Sequence, residues 1–263
     1  MGIVWNILCP RKNIVRCKNM KGPKKAIELT WEEQARYIDQ SVLKPEFSDE
    51  EIIKYIQEGV DFKCKTVCIN PSSLDIAVKM TEGTETGICV VCDFPFGKSS
   101  TVSKVAQGEL ICKSGKVDEL DVVSNYGWIR SKKWLQVRQD IKAVVDMCHS
   151  YNVKAKIILE TDALSSLEIQ RATEIAVEAG ADFIKSSTGF YTGGTAIGAS
   201  NEIMDIMLKA SAGRCLIKGS GAIRTREHFL ELIDMGSGQN GNRIQIHSYC
   251  AWKNNRRGKE III

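Results

Sequence analysis

The sequence predicts an α/β protein built as one closed (β/α)8 barrel, with an atypical C-terminal end. Three observations predict it. Short β-branched runs alternate with longer helical patterns, one pair about every 25–35 residues, eight times over. The short runs are nearly continuous in apolar residues, as expected of parallel strands covered on both faces. The 263 residues show no composition break after residue 26 that would mark a second domain, and eight units in about 250 residues favour closure into a TIM barrel over an open sheet.

The strands expected, in order, are "RYID" (36–39), "KTVCI" (65–69), "GICVVCDF" (87–94), "ELDVVS" (119–124), "KAKIILE" (154–160), "DFIKSS" (182–187), "CLIKGS" (215–220) and "NRIQIH" (242–247). Helical patterns lie between them. Ser48 and Glu51 form a capping box opening "DEEIIKYIQEG", which Gly59 is expected to close. Ser165 and Glu168 do the same for "LEIQRATEIAVEAG", closed by Gly180. "KKWLQVRQDIKAVVDMCHSY" places Trp134, Val137, Ile141, Val144 and Val145 on one side of a helix. Thr225 reads as the N-cap of "REHFLELIDMG".

The formal charge of +4 is unevenly spread. Residues 1–25 hold seven Lys/Arg and no acid, and residues 243–263 hold five Lys/Arg and one acid. Residues 26–242 therefore hold 24 basic and 31 acidic groups, a net −7. An acidic body with basic ends argues against a nucleic-acid partner and for a solvated extension over residues 1–25. The start "MGIVWNILCPRK" lacks the charged n-region of a signal peptide and carries Asn6 where a myristoylation site has Ser or Thr, so it reads as a plain leader. No apolar run approaches the ~20 residues that span a membrane.

Ten cysteines raise the question of a metal or disulfides. Cys64-x3-Cys68 and Cys89-x2-Cys92 have roughly zinc-like spacing. Cys68, Cys89 and Cys92 lie in strand patterns, however, and residues three apart on a strand, as Cys89 and Cys92 are, point to opposite faces. No metal site is expected, and buried free thiols suit a reducing compartment, the cytoplasm.

In a barrel of this kind the working groups sit at the C-terminal ends of the strands. That rule selects Asp39, Cys68, Asn70, Asp93, Asp121, Glu160, Lys185 and Lys218. The two lysines stand out, because each follows an Ile on a strand and precedes a Gly/Ser-rich turn on units expected to be adjacent. Burial and a neighbouring ammonium both lower a lysine pKa, and a neutral amine attacks carbonyls to form an imine. A carboxylate such as Asp121 would then carry protons. A single lysine of this type reads as a strand-end side chain reaching solvent. With two lysines and an acid at one level, the residues alone leave that reading and the chemical one level. The loops "SSTGFYTGG" and "GSGAIRT" offer backbone N–H groups and hydroxyls in the manner of a phosphate cradle. Glu160 and Arg224 are a candidate structural ion pair.

At these residues the chain resembles the deoxyribose-phosphate aldolase family. "ADFIKSSTGF" is similar to its Lys-Thr-Ser-Thr-Gly segment, "LIKGSGAIRT" to the segment with its second lysine, and "VDELDVVSNYG" to its Asp-Glu-(Ile/Val)-Asp-Val-Val segment. "IDQSVLKPE", "KTVCINP", "DFPFG", "KIILET" and "EAGADFIK" also match, in order, from about Arg36 to about Met235. The resemblance implies a class I aldolase, a lyase that reversibly cleaves 2-deoxy-D-ribose 5-phosphate to acetaldehyde and D-glyceraldehyde 3-phosphate, with no metal or other cofactor. It implies that Lys185 forms the Schiff base, that Lys218 depresses the pKa of Lys185, and that Asp121 moves protons with ordered water. It further implies that Gly189, Gly221 and Ala222 hold the phosphate through backbone groups, with Thr188 nearby, and that Asp39 and Cys68 line the pocket. A homo-oligomer is expected by the same likeness.

The departures are Gln40 and Ser41 in place of His and Thr, Ala222 in place of a common Gly, and everything after "ELIDMG". From about residue 236 the last βα unit reads as degenerate, without the usual Ser-containing phosphate loop, for which Ser248 would be a poor substitute. The tail "WKNNRRGKE" has no apolar stripe. Both ends look unlike the body, as a shifted frame or an alternative exon would make them. Two alternatives follow: a catalytically impaired product of the same fold, or another phosphate-binding TIM-barrel enzyme.

Overall fold

The computed structural model describes residues 24–237, 244–248, 251–255 and 258–262, with side chains over 24–236. The expectations for residues 1–23 and for the side chain of Ser248 lie outside the described residues. Eight parallel strands close in sequence order: β1 (Ile38–Val42), β2 (Thr66–Ile69), β3 (Gly87–Cys92), β4 (Glu119–Val123), β5 (Lys154–Ile158), β6 (Phe183–Lys185), β7 (Leu216–Ser220) and β8 (Ile244–Ser248). β8 pairs with both β7 and β1, so the barrel is shut. The helices are α1 (Trp31–Ala35), α2 (Asp49–Asp61), α3 (Leu74–Thr81), α4 (Thr101–Cys112), α5 (Tyr126–Arg130), α6 (Trp134–Ser150), α7 (Ser166–Ala179), α8 (Asn201–Ser211) and α9 (Arg226–Ser237). After β8 the chain forms not a helix but an antiparallel pair, β9 (Ala251–Asn255) and β10 (Gly258–Ile262).

Strand alternation divides the barrel chemically. Ile38, Val67, Ile69, Ile88, Val90, Leu120, Val122, Ile157, Ile184 and Ile217 join one apolar cluster with the helices. The alternate residues belong to the inside, where Asp39, Glu119, Asp121, Lys156, Lys185 and Lys218 are all at most 1% exposed. The side-chain period of two on a strand therefore places polar groups in the lumen while the outer face carries the main core.

Most local expectations hold for the reasons given. The capping boxes at Ser48/Glu51 and Ser165/Glu168 are formed, Gly180 closes α7 at φ 90, and His228 N–H donates to Thr225 Oγ1 at 3.2 Å. Val137, Ile141, Val144 and Val145 are the buried stripe of α6. Two expectations are corrected. The first strand is not 36–39 but Ile38–Val42, because Thr30 and Glu33 form a capping box that starts a helix and its C-cap falls at Arg36. Gly59 does not close α2, which runs on to Asp61. It lies where the helix meets the barrel: an added Cβ would sit 2.9 Å from Val67 Cγ1 and 3.0 Å from Gln40 Cβ, so glycine permits the close approach.

Candidate active site

The lysine of "ADFIKSS" points inward because Phe183 and Lys185 face the lumen while Ile184 faces the helices. Lys185 is the direct register partner of Lys218 on the neighbouring strand. Lys185 Nζ donates to Asp121 Oδ2 at 2.7 Å, and Lys218 Nζ lies 2.7 Å from Asp39 Oδ2 as an ion pair. Four of the residues selected from the sequence thus meet in one buried network, and Cys68 adjoins it with Sγ 3.9 Å from Asp121 Oδ2.

The hub of that network is a residue the strand-end rule missed. Lys156 on β5 is fully buried and its Nζ is 2.9 Å from Asp39 Oδ2, 2.8 Å from Glu119 Oε2 and 2.8 Å from Asp121 Oδ1. Three lysines and three carboxylates therefore share the lumen at formal neutrality. Such a cluster survives desolvation because every charge has a partner. The signal was present in "KAKIILE", where Lys154 and Lys156 are two apart and share a face, but Lys156 sits one layer below the strand end. Cys89 was passed over for the same reason. Its Sγ lies 3.0 Å from Asp121 Oδ1 and 3.5 Å from Lys156 Nζ.

The electrostatics of the two amines differ. Burial pushes Lys185 down, but the Asp121 carboxylate and Cys68 together outweigh it and hold Lys185 above the ordinary lysine value. Lys218 is the amine that falls below that value; burial is the main cause, Asp39 opposes it and the Lys156 cation adds to it. Lys156 is held well above the ordinary value, because Asp121, Asp39 and Glu119 together overcome its burial. Of the two amines Lys218 therefore gives up its proton more readily, whereas Lys185 holds its proton beside an acceptor.

The mouth is built from three loops. Glu160 follows β5 in the left-handed region at φ 58, a costly conformation for a non-glycine residue. Its carboxylate accepts from Ser187 Oγ at 2.9 Å and from Thr188 Oγ1, which fixes the loop after Lys185. Burial pushes the Glu160 carboxyl up, against those two hydrogen bonds. The partners of Glu160 are these hydroxyls, which replaces the expected pairing with Arg224. Gly189 (φ 81), Gly221 (φ 82) and Ala222 (φ 57) all turn through the left-handed region. Ala222 is thus a non-glycine residue where glycine would be unstrained. The loops after β6 and β7 touch: Ser187 Oγ is 3.2 Å from where a Cβ on Gly221 would stand. Phe94 and Phe190 meet edge to face with ring centroids 5.3 Å apart, above the small cluster Leu43, Cys68, Cys89 and Val91.

Asn70 and Asp93, also selected from the sequence, are used for support. Asn70 donates to Leu43 O at 3.2 Å. Asp93 accepts from Ser99 Oγ at 2.7 Å and lies 3.6 Å from the buried Lys104, which also pairs with Asp140 at 2.8 Å. These contacts hold the Phe94–Pro95 turn, whose peptide bond is cis. Alternation on β3 puts Cys89 in the inner cluster and Cys92 in the outer core; Cys64, just before β2, joins the outer core and Cys68 the inner cluster. No helix among the described residues is long and apolar enough to cross a membrane.

Comparison with known proteins agrees with this arrangement. Residues 34–244 match the DeoC/LacD family aldolase profile. The deoxyribose-phosphate aldolase of Desulfitobacterium hafniense (strain DSM 10664 / DCB-2) is 38% identical over 79% of this chain and 93% of its own length. That of Thermococcus kodakarensis is 38% identical over 80% of this chain and 92% of its own. Among solved structures, the aldolase QR15 superposes with TM-score 0.71 at 31% identity, covering 82% of this chain and 92% of that one. The tetrameric deoxyribose phosphate aldolase of Aeropyrum pernix shares the fold, with TM-score 0.72 at 22% identity over 84% of this chain and 88% of that one. The profile covers most of the barrel, including all three lysines, and relatives at this identity extend over more than three quarters of the sequence: the chain belongs to the DeoC/LacD family of aldolases.

Proposed function

We propose that this chain is a deoxyribose-phosphate aldolase, a class I lyase working through a Schiff base on Lys185. The observation that carries the reading is the 2.7 Å contact between Lys185 Nζ and Asp121 Oδ2 inside a fully buried, charge-balanced cluster. A protonated amine is no nucleophile, but here the acceptor already touches the proton. Transfer to Asp121 frees the Lys185 lone pair to attack C1 of open-chain 2-deoxyribose 5-phosphate. Loss of water then gives the protonated imine. The imine withdraws electrons from the C2–C3 bond. When a base takes the C3 hydroxyl proton, that bond breaks, releasing glyceraldehyde 3-phosphate and leaving an enamine. Protonation at C2 and hydrolysis of the imine release acetaldehyde and restore Lys185.

The Lys156 cation works against the protonated form of Lys185, and Lys156 and Lys218 together order the carboxylates. Asp39 holds both of these lysines, and Cys68 borders the pocket. The phosphate is assigned to backbone groups of Gly189, Gly221 and Ala222 with the Thr188 hydroxyl, a reading supported by the left-handed conformation of all three, which suits anion-binding turns. No metal or other cofactor enters this scheme. A cytoplasmic homo-oligomer acting in deoxynucleotide breakdown, with no nucleic-acid or membrane partner, completes the reading. Buried free thiols support the location, and the tetrameric structure of the Aeropyrum pernix enzyme supports the assembly.

Borohydride added with acetaldehyde tests it. One ethyl-sized adduct on Lys185 is expected, absent in Lys185→Ala. A folded protein with no adduct, or with the adduct elsewhere, overturns the assignment. A catalytically impaired product is favoured by one observation: the family match ends at residue 244, and an antiparallel pair follows β8 in place of a helix. It predicts trapping without cleavage of the phosphosugar. Another phosphate-binding barrel enzyme predicts activity on a different member of a substrate panel.

A further inference from the structure

Strand alternation parts Cys89 from Cys92, and Cys64 lies before β2, yet the fold brings one member of each zinc-spaced pair together. Cys68 and Cys89 are direct register partners on the parallel strands β2 and β3, so both side chains point to the same side of the sheet, into the lumen. Cys68 Sγ, Cys89 Sγ and an Asp121 oxygen lie within 4.8 Å of one another, and all three residues are fully buried. Two ligand atoms on one tetrahedral ion at about 2.3 Å from sulfur and about 2.0 Å from oxygen stand roughly 3.5 Å apart. Cys89 Sγ lies 3.0 Å from Asp121 Oδ1 and Cys68 Sγ 3.9 Å from Asp121 Oδ2, one below and one above that value, so the carboxylate spans the two thiols.

We infer that Cys68, Cys89 and Asp121 form an inhibitory site for a soft divalent cation of the zinc or cadmium class. The ion takes the place of two thiol protons, so the formal charge of the lumen is unchanged: one M²⁺ enters and two H⁺ leave. The ammonium of Lys156, already 3.5 Å from Cys89 Sγ, then faces a thiolate instead of a thiol, while Lys156 and Lys185 lie against Asp121 Oδ1 and Oδ2 respectively. Both cations stabilise the new anionic ligands, as hydrogen-bonding partners of metal ligands commonly do. Protons leave the thiols as the ion binds, so binding tightens as pH rises. Hard oxygen-seeking ions such as Mg²⁺ gain nothing from two thiolates. Occupation ties up Asp121, the acceptor of the Lys185 proton, and blocks imine formation.

The test uses the full-length chain, freed of metal and titrated with Cd²⁺. Expected is one equivalent bound with a thiolate-to-cadmium charge-transfer band, unaffected by excess Mg²⁺. Because two protons leave, affinity should weaken about 100-fold for each pH unit of acidification. Cys89→Ala and Cys68→Ala should each lose more than the roughly 10–100-fold that removal of a ligand's hydrogen-bond partner costs. A double Cys112→Ser, Cys148→Ser variant serves as a control, since those thiols also touch, and should keep the band. No one-equivalent binding by the wild type, a pH-independent affinity, a band unchanged in Cys89→Ala, or a band lost only in the control each overturns the site. A second arm rests on the imine reading: Cd²⁺ should suppress borohydride trapping of acetaldehyde at Lys185 in proportion to occupancy. Trapping that proceeds at full occupancy refutes the inhibition. If the metal-free chain traps nothing, the aldolase assignment fails, and the optical titration still decides the metal site.

Discussion

Replacing Lys156 by Met removes the one cation that touches all three lumen carboxylates while keeping nearly the same volume. The wild-type cluster balances three lysines against three acids. The variant leaves three acids against two lysines, with an uncompensated charge in a fully buried space. Breaking a buried pair on one side costs about 3–5 kcal/mol, and the expected loss of unfolding free energy at about pH 8 is in that range. The leftover charge can be relieved by a proton held in the folded state. The variant then binds more protons folded than unfolded, so its stability falls as pH rises and the deficit shrinks in acid. Urea unfolding of both chains at about pH 8 and about pH 5.5 measures this through the midpoints and slopes. Function gives a second readout. The Lys156 cation lowers both Lys185 and Lys218, so its removal should raise both amines and move the pH profile of imine trapping to more alkaline values. A loss below about 1 kcal/mol at pH 8, the size of an exposed ion pair, or an unmoved trapping profile, would refute the hub reasoning.

Other expectations follow from the mouth of the barrel. Burial holds the Glu160 carboxyl above 4.5, so the folded state binds extra protons between 4.5 and the raised value and loses stability as pH rises through that window. Glu160→Gln should flatten this, its stability relative to wild type improving between about pH 4 and about pH 7 in urea melts; a parallel pair of curves contradicts it. Gly198→Ala would place a Cβ 2.3 Å from Gly221 O at φ 55. Strain and clash together should cost about 2–4 kcal/mol and raise KM for the phosphosugar more than they lower kcat, because Gly221 moves; an unchanged KM in a folded variant argues against the phosphate assignment. The borohydride trap on Lys185 remains the direct check on chemistry.

The sequence by itself determined the repeating strand–helix order, the caps at Ser48, Ser165 and Thr225, and the pairing of Lys185 with Lys218 on adjacent strands. These are local or nearest-neighbour properties, written in periodicity and in short side-chain-to-backbone bonds. It placed the first strand too early and closed α2 at Gly59, because a strand boundary and a tight helix–strand approach depend on what packs opposite. Only the tertiary structure decided that Lys156 is the hub, that Asp121 holds the Lys185 proton while Lys218 is the lowered amine, and that Cys68 meets Cys89. Each of these joins residues from separate strands, β1, β2, β3, β4, β5, β6 and β7, through distances of about 3 Å that barrel closure and strand stagger set. Electrostatic sign in a dry lumen turns on such distances: a carboxylate at 2.7 Å, together with Cys68, reverses the effect of burial on Lys185, and no spacing along the chain carries that information.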